Sequence, residues 1–433
     1  VIALEDTVDK LALDGETPVR SRPFPYPQCG AGVIGDEEMS LVTEVVRSRC
    51  LFRDYGDGTP HMVNDLEREA CAYLGMQHAL AVTSGSAALC CAMAGLGPGD
   101  EVIMPALIWR SDFQAPLAVG ATPVFAEIDR SLSLDPMDLA RRITSRTKAI
   151  IAVHFMGGVG DMDAILSLAG ERGIPVIEDC AQSFGASYRG RKVGSLGDVG
   201  CFSVQHNKVV TTGEGGLLTA RDSVVFERAA RYHDLGLFRS ALKAQVGGVE
   251  RVPDFSGLQF RMNELTGAVA LAQLRNLDRR VLDVTRRHFR WLGERLREEC
   301  PGLKFRMSQD EAGDAGIAFY MDFENATQAQ WLAEALTAEG LQLGATTRAC
   351  NMLNQDWVLE RRQVNPDLSP LGPGCPGESV QYQRDACPRT DDIIASFVCV
   401  PITPRHADED MEDIRDAIAK VWRHREEIAH HGD

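Results

Sequence analysis

From about residue 78 the chain repeats one pattern: a short apolar run rich in β-branched residues, a turn rich in Gly, Pro or Asp, and then an amphipathic stretch at helical spacing. The runs are 78–83 (HALAVT), 101–105 (EVIMP), 122–128 (TPVFAEI), 148–154 (KAIIAVH) and 174–178 (IPVIE). Helical candidates lie between them at 86–95, 135–143 and 161–173. Strands that read as continuous apolar runs are buried on both faces, so helices must cover both sides of a mainly parallel sheet. Ligands in such α/β folds gather at the carboxyl ends of the strands. The residues that follow each run are therefore the place to look for chemistry.

The pattern changes at 199–203 and 215–219, where two strand candidates flank a polar turn instead of a helix. Apolar residues then recur at helical spacing from Asn263 to Glu299, which predicts a long connector helix into a second domain. Beyond Pro301 come a strand at 316–323, a helix at 327–339, a strand at 395–401 and a closing helix at 408–422. Between them, 348–390 is rich in Gly, Pro, Asn and Asp and is longer than an ordinary connection. Folded elements follow it, which favours an ordered flap on the substrate side over a disordered linker. The expected organisation is an N-terminal arm (1–30), a large domain (31–280) and a smaller domain (281–433) that includes the 348–390 flap.

Composition removes several function classes. The 433 residues carry a net charge of −17 with no long basic run, which excludes nucleic acid as a partner. No stretch reaches the roughly 18 apolar residues of a membrane span. Twelve cysteines are scattered, with no CxxC pair and no signal-peptide-like start, as expected of a reduced, cytoplasmic enzyme without a metal site. Cys90 and Cys91, in an Ala-rich stretch, read as small buried hydrophobes.

The segment 177–216 concentrates the chemistry. Asp179 ends an apolar strand, where a carboxylate needs a cationic partner. Lys208 follows a tight polar turn and is itself followed by Val209 and Val210, a poor setting for a solvated surface charge. Asp179, Gln182, Ser203 and Lys208 together meet the requirements of pyridoxal phosphate: an amine for its aldehyde, a carboxylate for its ring nitrogen, and hydroxyls for its phosphate. At 83–89 (TSGSAAL) a strand end, Gly85 and the opening of a helix at Ser86 and Ala87 offer free backbone N–H groups to that phosphate.

On these motifs, and on LDGETPVR (13–20), LFRDYG (51–56), GPGDEVIMP (97–105), the 178–203 segment, NKVVTTGEGG (207–216) and FRMNEL (260–265), the chain resembles the DegT/DnrJ/EryC1/StrS family of pyridoxal-phosphate aminotransferases, which act on keto sugars and cyclitols. The resemblance runs from about 13 to 421. It implies an α/β fold of the aspartate-aminotransferase type (pyridoxal-phosphate fold type I), with a large, mainly parallel sheet and a smaller α+β C-terminal domain.

It also implies roles. Lys208 is then the Schiff-base lysine and proton shuttle, Asp179 holds the pyridinium, and Gln182 lies by the ring's 3′ oxygen. Gly85, Ser86, Ala87 and Ser203 bind phosphate, and Trp109 stacks on the ring, a packed core tryptophan being the alternative. Where the family often has an Asn that reaches the phosphate of the partner subunit, this chain has Gln259. Tentative substrate contacts are Arg53, which equally suits a surface ion pair, Tyr55 and His206; Gly213 and Glu214 shape a turn. The implied activity is ping-pong transfer of an amino group from glutamine or glutamate to a keto sugar, keto cyclitol or similar polyhydroxylated acceptor, by a homodimer in a biosynthetic pathway such as that of an antibiotic or cell-surface sugar. Lys208 disfavours the sugar dehydratases of the family, which carry His at that position. The QHN turn (205–207) keeps an aminohydroxybenzoate-synthase-like dehydratase or aromatising enzyme open, and a non-catalytic pyridoxal-phosphate-binding regulator is the third alternative.

Overall fold

The apolar runs become strands of a single seven-stranded sheet in the computed structural model, which describes residues 10–53, 61–344 and 350–426. Its strands are β1 (His78–Val82), β2 (Glu101–Pro105), β3 (Thr122–Ala126), β4 (Thr147–Val153), β5 (Val176–Asp179), β8 (Val199–Ser203) and β9 (Gly216–Ala220). A short hairpin of β6 (Ser187–Tyr188) and β7 (Arg191–Lys192) lies between β5 and β8. The order is β1-β9-β8-β5-β4-β2-β3, and the β3-β2-β4-β5-β8 block is parallel throughout. Only β9 runs against its neighbours, which follows from the β8–β9 connection being a turn rather than a crossover helix. Two apolar clusters cover the faces: Leu80, Val102, Met104 and Ile151 point into one, and Ala79, Ile103 and Ile150 into the other. The period-2 alternation of a strand buried on both faces accounts for the division.

A second sheet, β10 (Lys304–Phe305), β11 (Ala318–Asp322) and β12 (Phe397–Pro401), is antiparallel. The helices Asp283–Glu299, Ala326–Ala338 and Asp408–Arg423 pack on it around Leu292, Leu296, Phe319 and Ile414. The long connector is present but divided. Helix Glu264–Leu277, capped by the Asn263 side chain on the Thr266 N–H, passes through one π turn at Asp278–Leu282 into helix Asp283–Glu299. The Asp278 carboxylate accepts the Tyr73 hydroxyl at 2.8 Å beside that turn. No described helix is long and apolar enough to cross a membrane.

The N-terminal arm ties the two halves. Leu11 enters the small-domain core and Cys29 the large-domain core. Between them Arg20 pairs with Asp410 and Asp413 at 2.8 and 2.6 Å, and the Glu339 carboxylate accepts the N–H groups of Ala12 and Val19.

The flap differs from expectation. Its described part, from residue 350, packs on the core of the large sheet instead of joining the smaller domain. Tyr382 and Trp357 meet Phe113 edge-on, with ring centroids 5.5 Å away, and the Tyr382 hydroxyl donates to the Pro123 carbonyl. Such aromatic pairs add about 0.5–1.5 kcal/mol each beyond area burial. Thr390 completes the attachment by donating its N–H and hydroxyl to Glu127. An irregular sequence has no periodicity from which to read its docking face.

Arg53 also sits differently. Its guanidinium is buried and bonds both Glu67 oxygens, at 2.7 and 2.6 Å, while Glu67 further accepts the Ala81 N–H of β1. This is a structural pair, neither the surface ion pair nor the substrate contact anticipated. Glu67→Ala removes the carboxylate that both ends of the buried Arg53 fork bond and is expected to cost about 3–5 kcal/mol of stability, measured by urea unfolding.

Candidate active site

The carboxyl ends of β1, β5 and β8 and the loop after β2 converge on a cavity of about 430 Å³. Asp179 closes β5 at the bottom of it, 7% exposed, with Oδ1 held by the Ala181 N–H at 2.9 Å. Lys208 reaches the same cavity from the turn after β8. Its backbone is fixed on both sides: its N–H donates to the Gln205 carbonyl, and its carbonyl accepts the Gly30 N–H of the N-terminal arm at 3.1 Å. Burial lowers the Lys208 ammonium pKa below the usual lysine value, with Asp179 and Asp112 pulling the other way. A larger share of neutral amine is what nucleophilic attack on a carbonyl needs.

The candidate phosphate cradle is the start of helix Gly85–Ala92. Ser84 caps it, its Oγ accepting the Ala87 N–H at 3.0 Å. That cap uses the Ala87 N–H, and Ala87 is buried outside the cavity lining. Gly85 and Ser86 line the cavity, and their N–H groups, in the first turn of the helix, have no intrahelical partner. A Cβ on Gly85 would stand 2.8 Å from the Ser203 Cβ, so only glycine lets the β8 hydroxyl sit against this turn. Ser86 and Ser111 share a hydroxyl hydrogen bond of 2.6 Å.

Gln182 lines the cavity with its Oε1 fixed by the Met156 N–H at 3.1 Å, which leaves its Nε2 donor for an oxygen acceptor. Trp109, the N-cap position of helix Arg110–Ala118, is 68% exposed over the cavity instead of packed in a core. A flat apolar face held at the mouth in this way fits a planar ring. Amine, buried carboxylate, amide donor, indole face and phosphate cradle together fit pyridoxal phosphate in chemistry.

Several lining residues were not picked out as site residues from sequence: Ser111, Gln205, Asn207 and, as more than a turn former, Glu214. Gln205 and Asn207 flank His206 and line the cavity, whereas His206 does not and meets the Gln28 side-chain amide at 2.7 Å. His206 therefore braces the arm rather than lining the cavity. Gln259 is exposed on a bridge to Asp234 and lines no part of its own chain's cavity. Tyr55 lies outside the described residues.

The family model described as "DegT/DnrJ/EryC1/StrS aminotransferase family" matches residues 33–359. The chain belongs to this family. It is thus an aminotransferase of pyridoxal-phosphate fold type I. It is 33% identical to an L-glutamine:2-deoxy-scyllo-inosose aminotransferase of Streptoalloteichus tenebrarius, over 96% of this chain and 99% of that one. A GDP-perosamine synthase of Caulobacter vibrioides is 38% identical over 53% of this chain and 60% of its own. The crystal structure of 3-amino-5-hydroxybenzoic acid synthase superposes with a TM-score of 0.74 at 28% identity, covering 94% of this chain and 100% of that one.

In this member of the family, Gly85→Ala pushes a methyl group into Ser203 and narrows the cradle. It is expected to weaken pyridoxal phosphate binding by about tenfold, measured by spectral titration of the cofactor-free protein.

Proposed function

We propose that the protein binds pyridoxal phosphate and transfers an amino group from glutamine or glutamate to a neutral, polyhydroxylated keto acceptor, a keto cyclitol or keto sugar. The observation that carries this is the meeting of the Lys208 amine and the buried Asp179 carboxylate in one cavity. When bound, the cofactor supplies an aldehyde that takes up the donor's amine and a ring that accepts the electrons of its Cα–H bond. The Asp179 carboxylate, anchored by Ala181, holds the ring nitrogen protonated, and the Gln182 amide donates to the ring's 3′ oxygen. The N–H groups of Gly85 and Ser86 and the Ser203 hydroxyl hold the phosphate. Lys208 Nζ takes the proton from the donor's Cα and returns it on the other side of the transfer, a task that its lowered pKa suits. The donor leaves as a keto acid before the acceptor enters, so the kinetics are ping-pong.

The acceptor class follows from the rest of the lining. Gln205 and Asn207 present amides and Glu214 a carboxylate, groups that hydrogen-bond hydroxyls. The names of the glutamine:2-deoxy-scyllo-inosose relatives point the same way for both donor and acceptor. Gln259, outside its own cavity, suits a contact with the phosphate of a second copy, so the working unit is a homodimer; sedimentation of the active species as a monomer would contradict it.

The test is a pair of half-reactions. L-Glutamine alone should convert the bound cofactor to its amine form, read by its absorbance, and 2-deoxy-scyllo-inosose or a free keto sugar should restore it. A GDP-linked keto sugar is the control for a nucleotide-linked acceptor. If no amino acid converts the cofactor, the protein is not a transaminase. Lys208→Ala is expected to abolish both half-reactions. Glu214→Ala is expected to raise KM for the acceptor by about tenfold while leaving the glutamine half-reaction unchanged, as the loss of a charged hydrogen bond to a hydroxyl requires.

A further inference from the structure

Asp179 has a neighbour that the transamination chemistry above does not use. Asp112 is the third residue of helix Arg110–Ala118, and its side chain turns in toward the end of β5. It is 0% exposed, and neither of its carboxyl oxygens finds a hydrogen-bond donor among the described residues. Its carboxyl faces that of Asp179. Two carboxylates that face each other without a donor between them do not both stay ionised; a proton is held at the pair.

The surroundings decide where it sits. Asp179 accepts the Ala181 N–H at 2.9 Å and shares the cavity with Lys208. Asp112 has the start of its own helix, a weak and partial positive charge, and a smaller share of the Lys208 attraction than Asp179 has. Burial, and then the Asp179 charge, push the Asp112 carboxyl well above the usual carboxylate range, with the backbone amides of Asp112 and Trp109 acting in the opposite sense. The other titratable groups beside the pair are the thiols of Cys201 on β8 and Cys180 just after β5. Burial raises both, so they are neutral.

We propose that Asp112 is a positioning residue: as a neutral acid it donates its hydroxyl to the Asp179 carboxylate and so fixes the oxygen that meets the cofactor's ring nitrogen. The proposal rests on the pyridoxal phosphate reading above. The proton keeps one negative charge rather than two beneath the ring, and the donated hydrogen bond fixes the rotation of the Asp179 carboxylate about its χ2. Since Asp112 belongs to the same first helical turn as Trp109 and Ser111, one turn of helix sets ring face, cradle hydroxyl and carboxylate together.

Two substitutions separate the donor from the charge. Asp112→Asn keeps a donor of similar shape and cannot ionise; Asp112→Ala removes the donor. Pyridoxal phosphate dissociation constants by spectral titration, and thermal unfolding of the cofactor-free proteins, are measured from about pH 5 to pH 9. A carboxyl whose folded pKa is raised contributes stability that is present at low pH and is lost as pH rises through the folded value. The wild type should therefore lose Tm relative to Asp112→Asn as pH rises. Asp112→Asn should bind the cofactor within about threefold of wild type at the low end, and Asp112→Ala about tenfold or more weakly. A Tm difference that stays flat with pH, or equal weakening of binding by the two substitutions, overturns the proposal. Should Asp112→Ala fail to fold, the pH series of Asp112→Asn against wild type decides alone. Failure of the wild type to bind pyridoxal phosphate defeats the cofactor reading instead, and the unfolding series then upholds or overturns the shared proton by itself.

Discussion

A carboxylate at the end of a central buried strand is a costly place for charge, and much of the large domain is arranged around making Asp179 tolerable there. The Ala181 N–H holds one of its oxygens, and the Lys208 amine stands across the cavity. The residue before it is handled by a separate device: the Glu178 side chain points to the opposite face of the sheet, where it accepts the N–H groups of Gly194, Leu196 and Gly197 and meets His154. Two adjacent acids on one buried strand are thus satisfied on opposite faces, one by three backbone N–H groups and His154 and one by a group that leaves room for a ligand. The lysine is held as firmly by main chain as the acid is, through Gly30 of the arm and Gln205 of its own turn.

The strands of the large sheet were legible because they are buried on both faces and so appear as unbroken apolar runs; β1, β2 and β4 fall within a residue or so of expectation. The residues at their carboxyl ends, Asp179, Ser203, Gly85 and Lys208, were legible for the same reason, since polar groups that close apolar runs stand out. What stayed hidden depends on side-chain direction or on partners distant in sequence. Nothing in QHN tells which of three consecutive polar residues faces the cavity. Arg53 reads as a surface charge until Glu67 is seen beside it. Asp112 reads as an ordinary acid in the first turn of a helix, where the helix dipole favours one, until the fold sets it against Asp179. Ala87 was assigned to the phosphate because the helix start was right, but the Ser84 cap takes its N–H.

The flap is a further case. Its attachment was not legible, because Phe113, Phe125, Trp357 and Tyr382 form one aromatic cluster from segments far apart in sequence. The Met352 N–H donates to the Ala106 carbonyl and the Arg110 guanidinium to Gln355, so the described flap abuts the loop that carries Trp109. Variation in the flap reaches the cavity through the helix that presents Trp109, Ser111 and Asp112.

The single π turn at Asp278–Leu282 has a geometric consequence for the whole chain. One extra residue in a helix rotates everything after it by about 100° relative to everything before it. Leu271, Leu274 and Leu277 face the large-domain core, whereas Leu292 and Leu296 face the small-domain core. The turn is a phase shifter: it lets one continuous rod serve two cores that lie in different directions from its axis, with no loop between them to loosen the angle.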